Sequence, residues 1–61
     1  MASDQVFTTC YGKRQSWSSK DKAIKYFTQG MRECDTGSSE WSRYASIVGK
    51  LLDGGTDVDD T

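Results

Sequence analysis

The 61-residue chain contains no histidine and no proline. Without histidine it lacks the commonest general base near neutral pH and the commonest metal ligand. Ser-His-Asp and Cys-His nucleophilic catalysis are excluded with it. Cysteine is scarce: Cys10 and Cys34 are too few for a disulfide scaffold. Without a histidine they complete no zinc site within one chain unless carboxylates are recruited. Their spacing matches no redox motif, so in a reducing compartment they read as free thiols packed as small hydrophobes. No apolar run approaches the ~20 residues that span a bilayer, and no charged segment followed by an apolar one marks a signal peptide. The expected protein is soluble and cytoplasmic. Gly12-Lys13 lacks the rest of a P-loop. The acids Asp53, Asp57, Asp59 and Asp60 fail as an EF-hand, because the third position counted from Asp53 is Gly55. A chain this short also has no room for a deep cleft. These absences point away from an enzyme and away from any cofactor or metal.

What is present is charge, unevenly placed. The net charge is −1. Residues 13–32 nevertheless carry the bases Lys13, Arg14, Lys20, Lys22, Lys25 and Arg32 against the single acid Asp21. Residues 33–61 carry Glu33, Asp35, Glu40, Asp53, Asp57, Asp59 and Asp60 against Arg43 and Lys50. Such a split marks either a charged partner or two halves that attract each other.

Residues 38–55 read as a helix. Trp41, Tyr44, Ala45, Val48, Leu51 and Leu52 form one stripe of a 3.6-residue period. Ser38 is the expected N-cap, Glu40 suits the positive end of the helix dipole, and Gly54-Gly55 is the expected stop. An earlier helix opens at Ser18, with Asp21 three residues on as in a capping box. Its inward stripe is Ala23, Ile24, Phe27, Met31 and Cys34, and Asp21 and Lys25 are an i,i+4 pair. Gly30 inside this helix costs roughly 1 kcal/mol against alanine, which suggests a close approach of the second helix. The link at 34–37 is short enough to make the two helices antiparallel neighbours.

The segment 6–11 is rich in β-branched and aromatic residues and reads as a strand. With Gly12-Lys13 as a two-residue loop, 14–17 returns as a second strand, and Tyr11 faces Arg14 while Thr8 faces Trp17. Val6, Thr8, Cys10, Gln15 and Trp17 then share the core face. Phe7, Thr9, Tyr11, Arg14 and Ser16 share the outer one. At the other end Val58 anchors a short third strand, unless 54–61 is a solvated acidic tail. The fold class is α+β, a β-hairpin followed by two helices, ββαα or ββααβ. One domain covers 6–59, with a frayed start at 1–5 and an acidic end at 60–61.

Two binding surfaces stand out. Phe7, Tyr11, Lys13 and Arg14 combine exposed aromatics with bases, the residue types enriched at protein-binding hot spots, beside a hairpin edge able to pair with a partner strand. The alternative is that Phe7 packs against Val58 or a neighbouring strand. Lys13, Arg14, Lys20, Lys22 and Lys25 cluster at the turn and the first helix, where bases beside aromatics hold phosphates and stack nucleobases. Against that, the sequence pI is near 5.1, and dedicated nucleic-acid binders are usually basic. Arg43 reads as a surface ion pair with Glu40.

Tyr11-Gly12-Lys13, the run from Ser19 to Phe27, Gly30-Met31, Cys34, Gly37-Ser38, Glu40, Arg43-Tyr44, Ile47, Leu51 and Gly54-Gly55-Thr56 form a pattern covering most of the chain. In this pattern the chain resembles a group of small uncharacterised proteins of Gram-positive gut bacteria and their phages and mobile elements. It departs from them at Thr36, at an extra Ser before Glu40, and at Trp41, where a charged residue is more usual. The group carries no assigned activity, so no functional residue transfers. The resemblance implies an accessory role, either interference with host defence, as by an anti-CRISPR, or gene regulation. The expected function is thus a non-enzymatic protein-interaction module. A nucleic-acid-binding module is the alternative, and self-association through the opposite charged halves is open.

Overall fold

The computed structural model of the chain describes residues 5–60. Residues 1–4 of the expected frayed start at 1–5, and the last residue, 61, lie outside the described residues. Two strands, β1 (Val6–Cys10) and β2 (Lys13–Trp17), are followed by helices α1 (Lys20–Glu33) and α2 (Ser39–Leu52) and a third strand, β3 (Asp57–Asp59). The architecture is ββααβ. The sheet order is β2-β1-β3, with β1 antiparallel to β2 and parallel to β3. The open question of the C-terminal segment is answered by Val58, which is buried between the exposed Asp57 and Asp59 in strand alternation.

The hairpin register differs from the expected one. Val6 pairs with Trp17, Thr8 with Gln15 and Cys10 with Lys13, so the loop is Tyr11-Gly12 and not Gly12-Lys13. Both loop residues have positive φ, 55° and 76°, as a type I′ turn requires. Moving the loop by one residue slides each partner by two. An even slip keeps the strand side chains on their expected faces, so Val6, Thr8, Cys10 and Trp17 still look inward and Phe7 and Arg14 outward. Tyr11, expected on the outer face, instead leaves the strand for the turn and lies beneath Arg43 of the second helix.

The two antiparallel helices cover the inner face. Ser19, and not Ser18, caps α1, its side chain accepting from the Lys22 N–H. Ser38 caps α2 as expected, accepting from the Trp41 N–H at 3.2 Å. The predicted Asp21–Lys25 pair makes no ion pair among the described residues. The core is Val6, Ala23, Phe27, Ile47, Leu51 and Val58. The stripe of α2 is turned from the expected one: Ile47 and Leu51 are buried and Tyr44 and Val48 pack against them, while Leu52 is 69% exposed. A 3.6-residue period admits either stripe, and the sheet below selects the one that meets Val6 and Val58.

Gly30 brings α1 against α2 as anticipated. A Cβ built on it meets Tyr44 Cε2 at 2.9 Å, so the Tyr44 ring lies directly on the α1 backbone. The fully buried Thr8 hydroxyl accepts from the Trp17 indole N–H at 3.0 Å, which satisfies the buried polar group of the core.

Candidate functional site

The predicted contact residues fall on different faces. Phe7 and Arg14 lie together on the outer face of the sheet, where β1 and β2 place them diagonally across the pair. The Arg14 guanidinium covers the Phe7 ring at 4.7 Å from its centroid and grips Asp57 with both terminal nitrogens, at 3.3 and 3.0 Å. One side chain thus ties β2 to β3 over the central strand. Phe7 is half-buried beneath it.

Tyr11 sits in the turn in a second arrangement of the same kind. Its backbone N–H donates to Asp60 Oδ2 at 3.0 Å, and the Arg43 guanidinium lies 4.7 Å above its ring. Arg43 also pairs with Asp60 at 2.8 Å, which replaces the expected Glu40 partner. The Asp60 side chain is only 7% exposed. The Tyr11 N–H and Arg43 hold its carboxyl below the usual aspartate range. Burial, then the Asp60 charge, push the Cys10 thiol up. Cys34 is likewise pushed up, by desolvation and then by Glu40. Lys50 completes the tethering of the C-terminal segment by pairing with Asp59 at 3.2 Å.

The charge split is therefore only partly internal. Arg14 joins the basic segment to the acidic one, but Arg43 and Lys50 come from the acidic half itself. Lys13, Lys20, Lys22, Lys25 and Arg32 make no ion pair among the described residues.

Lys13, Lys22 and Lys25 flank an aromatic row that the sequence reading did not single out. Trp17 meets Tyr26 at a tilt, 5.0 Å between centroids, Tyr26 meets Phe27 edge-on at 5.0 Å, and Phe27 meets Tyr44 at 5.7 Å. Phe27 is buried, whereas Tyr26 is 53% exposed. Tyr26 and Tyr44 line two adjoining grooves. One, of about 240 Å³, also has Tyr11, Lys13 and Gln15 in its wall. The other, of about 540 Å³, has Lys22, Lys25, Gln29, Gly30 and Glu33. Tyr26 was missed because it sits beside the inward stripe of α1 rather than on it. Its i−1 position to Phe27, with lysines one and four residues before it, is the signal a reading of the polar face finds. Burial, then neighbouring Cys10 and Cys34, push the Tyr44 phenol up, so it stays a neutral hydroxyl at physiological pH.

Lys20, at the start of α1, lines neither groove. No helix among the described residues is long and apolar enough to cross a membrane. No protein-family model, curated protein or solved structure matches the chain.

Proposed function

We propose that the protein is a non-enzymatic module that binds another protein through the face where Tyr26 and Tyr44 stand between Lys13 and the pair Lys22 and Lys25. The observation that carries this reading is the exposed Tyr26 ring, braced by Trp17 and Phe27 and bordered by lysines with no internal ion pair. A tyrosine held rigid by neighbouring rings buries contact area at little entropic cost, which is why tyrosines dominate binding hot spots. Uncompensated lysines beside it attract and orient an acidic partner surface. Of the residues expected to make contact, Tyr11 and Lys13 border this face. Phe7 and Arg14 lie on the opposite sheet face, with Arg14 over the Phe7 ring and paired with Asp57.

The test is capture from a bacterial lysate with the tagged chain, with and without nuclease, at low and high salt, beside the Tyr26→Ser variant. A protein retained by the wild type through nuclease and salt, and lost with Tyr26→Ser, supports the reading. Nucleic acid released by salt supports the second reading, a nucleic-acid-binding module, which the unpaired bases favour. Its binding falls steeply with salt because each neutralised phosphate frees counterions. The concrete form implied by the resemblance, a mobile-element protein that occupies a host-defence protein, is assayed by whether the captured partner belongs to such a system.

A further inference from the structure

We infer that the larger groove, lined by Lys22, Lys25, Tyr26, Gly30 and Tyr44, seats an extended acidic segment of a partner protein, with an apolar or aromatic side chain of that segment on the two tyrosine rings. This names the ligand of the face described above and rests on the protein-binding reading.

The groove exists because of Gly30. Any side chain there enters the space now held by the Tyr44 ring, which a Cβ meets at 2.9 Å. Its absence leaves a floor of helix backbone and aromatic ring, with about 540 Å³ above it. Lys22 and Lys25, three residues apart on α1, project on the same side. Lys22 stands in the first turn of the helix, where the peptide dipoles add to its positive charge. The opposite end of the groove is closed by Glu33, whose carboxylate accepts from the Gln29 amide at 3.4 Å.

The groove is therefore polar in direction: two cations at one end, a ring platform in the middle, a carboxylate at the other. A nucleic-acid strand carries a charge at every nucleotide and places one of them against Glu33. A peptide places its acids only where the lysines are and its apolar side chain where the rings are. The charge pattern favours the peptide.

The experiment is a titration of the isotopically labelled full chain, followed by amide shifts in nuclear magnetic resonance. The probe is a synthetic peptide of alternating glutamate and phenylalanine. Its comparisons are a glutamate–serine peptide, a lysine–phenylalanine peptide and oligothymidylate. The expected result is movement of the Lys22, Lys25, Tyr26, Gly30 and Tyr44 signals with the first peptide, weaker movement with the serine peptide, and none with the lysine peptide. Lys22→Glu with Lys25→Glu is expected to weaken binding about tenfold or more, with the remaining spectrum unchanged. Shifts located elsewhere, equal binding by the charge-reversed variant, or tighter binding of oligothymidylate at the same residues would overturn the inference. So would shifts at the groove that follow protein concentration without peptide, since the occupant is then a second copy. A lysate partner retained by the charge-reversed variant overturns the groove and leaves the protein-binding reading standing. Groove binding of the peptide with no protein ever captured does the reverse.

Discussion

Arg43 on α2 holds the nearly buried carboxylate of Asp60 at 2.8 Å, and the same guanidinium covers the ring of Tyr11. The pair joins the second helix, the hairpin turn and the C-terminal segment at one point. It explains how Tyr11 occupies a left-handed conformation, with φ of 55°, that side chains other than glycine, asparagine and aspartate rarely adopt. In that geometry the Tyr11 N–H donates to Asp60 and the Tyr11 ring lies beneath Arg43.

Acid sensitivity follows from Asp60. Its pKa is lower in the fold than in the unfolded chain, so its contribution to stability is complete above the unfolded value, about 3.9. The contribution is lost as pH falls through that value and on through the lower, folded one. Asp60→Asn should lower the urea midpoint at neutral pH and should narrow its gap to the wild type below about pH 4. Parallel curves for the two proteins across that range would show that Asp60 is not a source of the acid dependence.

Thiol reactivity is a second consequence. Burial raises the Cys10 pKa, with Asp60 adding to it and Arg43 opposing it. The Cys34 pKa is raised by desolvation and by Glu40, Glu33 and Asp35, with no part played by Asp60. Alkylation of both by iodoacetamide at neutral pH is expected to be slow, because the thiolate is the reacting species. Asp60→Asn should speed Cys10 and leave Cys34 unchanged, which peptide mapping by mass spectrometry resolves. Equal acceleration of both would point to loosening of the whole fold instead.

Gly30 and Tyr44 should behave as a coupled pair. In an unencumbered helix Gly→Ala gains about 1 kcal/mol. Here the added methyl meets the Tyr44 ring, so Gly30→Ala is expected to destabilise the wild type. In a Tyr44→Ala background, itself destabilised, the same change should recover up to about 1 kcal/mol. Additive effects in that double-mutant cycle would mean the ring does not lie on the helix.

The buried Thr8 hydroxyl should matter more than its size suggests. Thr8→Val keeps the shape but leaves the Trp17 indole N–H without its acceptor, at a cost of about 1 kcal/mol. Denaturant melts measure the loss.

Arg14→Ala should cost less, under about 1 kcal/mol, since the Arg14 and Asp57 side chains are 54% and 58% exposed and screened by solvent. On the reading proposed above it also leaves partner capture intact. A partner lost with Arg14→Ala but kept with Tyr26→Ser would move the contact surface to the outer sheet face.

The order of elements, both amphipathic helices, the Ser38 cap and the inward face of the hairpin were determined by the sequence alone. Period and alternation are local properties, and burial acts on them directly. Gly30 announced a close approach because a mid-helix glycine is unfavourable without one. The tertiary structure alone decided the turn. The sequence favours glycine as its first residue, but Asp60 and Arg43 hold Tyr11 there. It likewise turned α2 so that Ile47 rather than Leu52 is buried, and gave Arg43 a partner 17 residues on in place of one three residues back. The same holds for the candidate site. Lys22 and Lys25 were visible as a basic cluster, but the platform between them and Lys13 is assembled from β2, α1 and α2. No local pattern carries it, because its rings come together only when both helices close over the sheet.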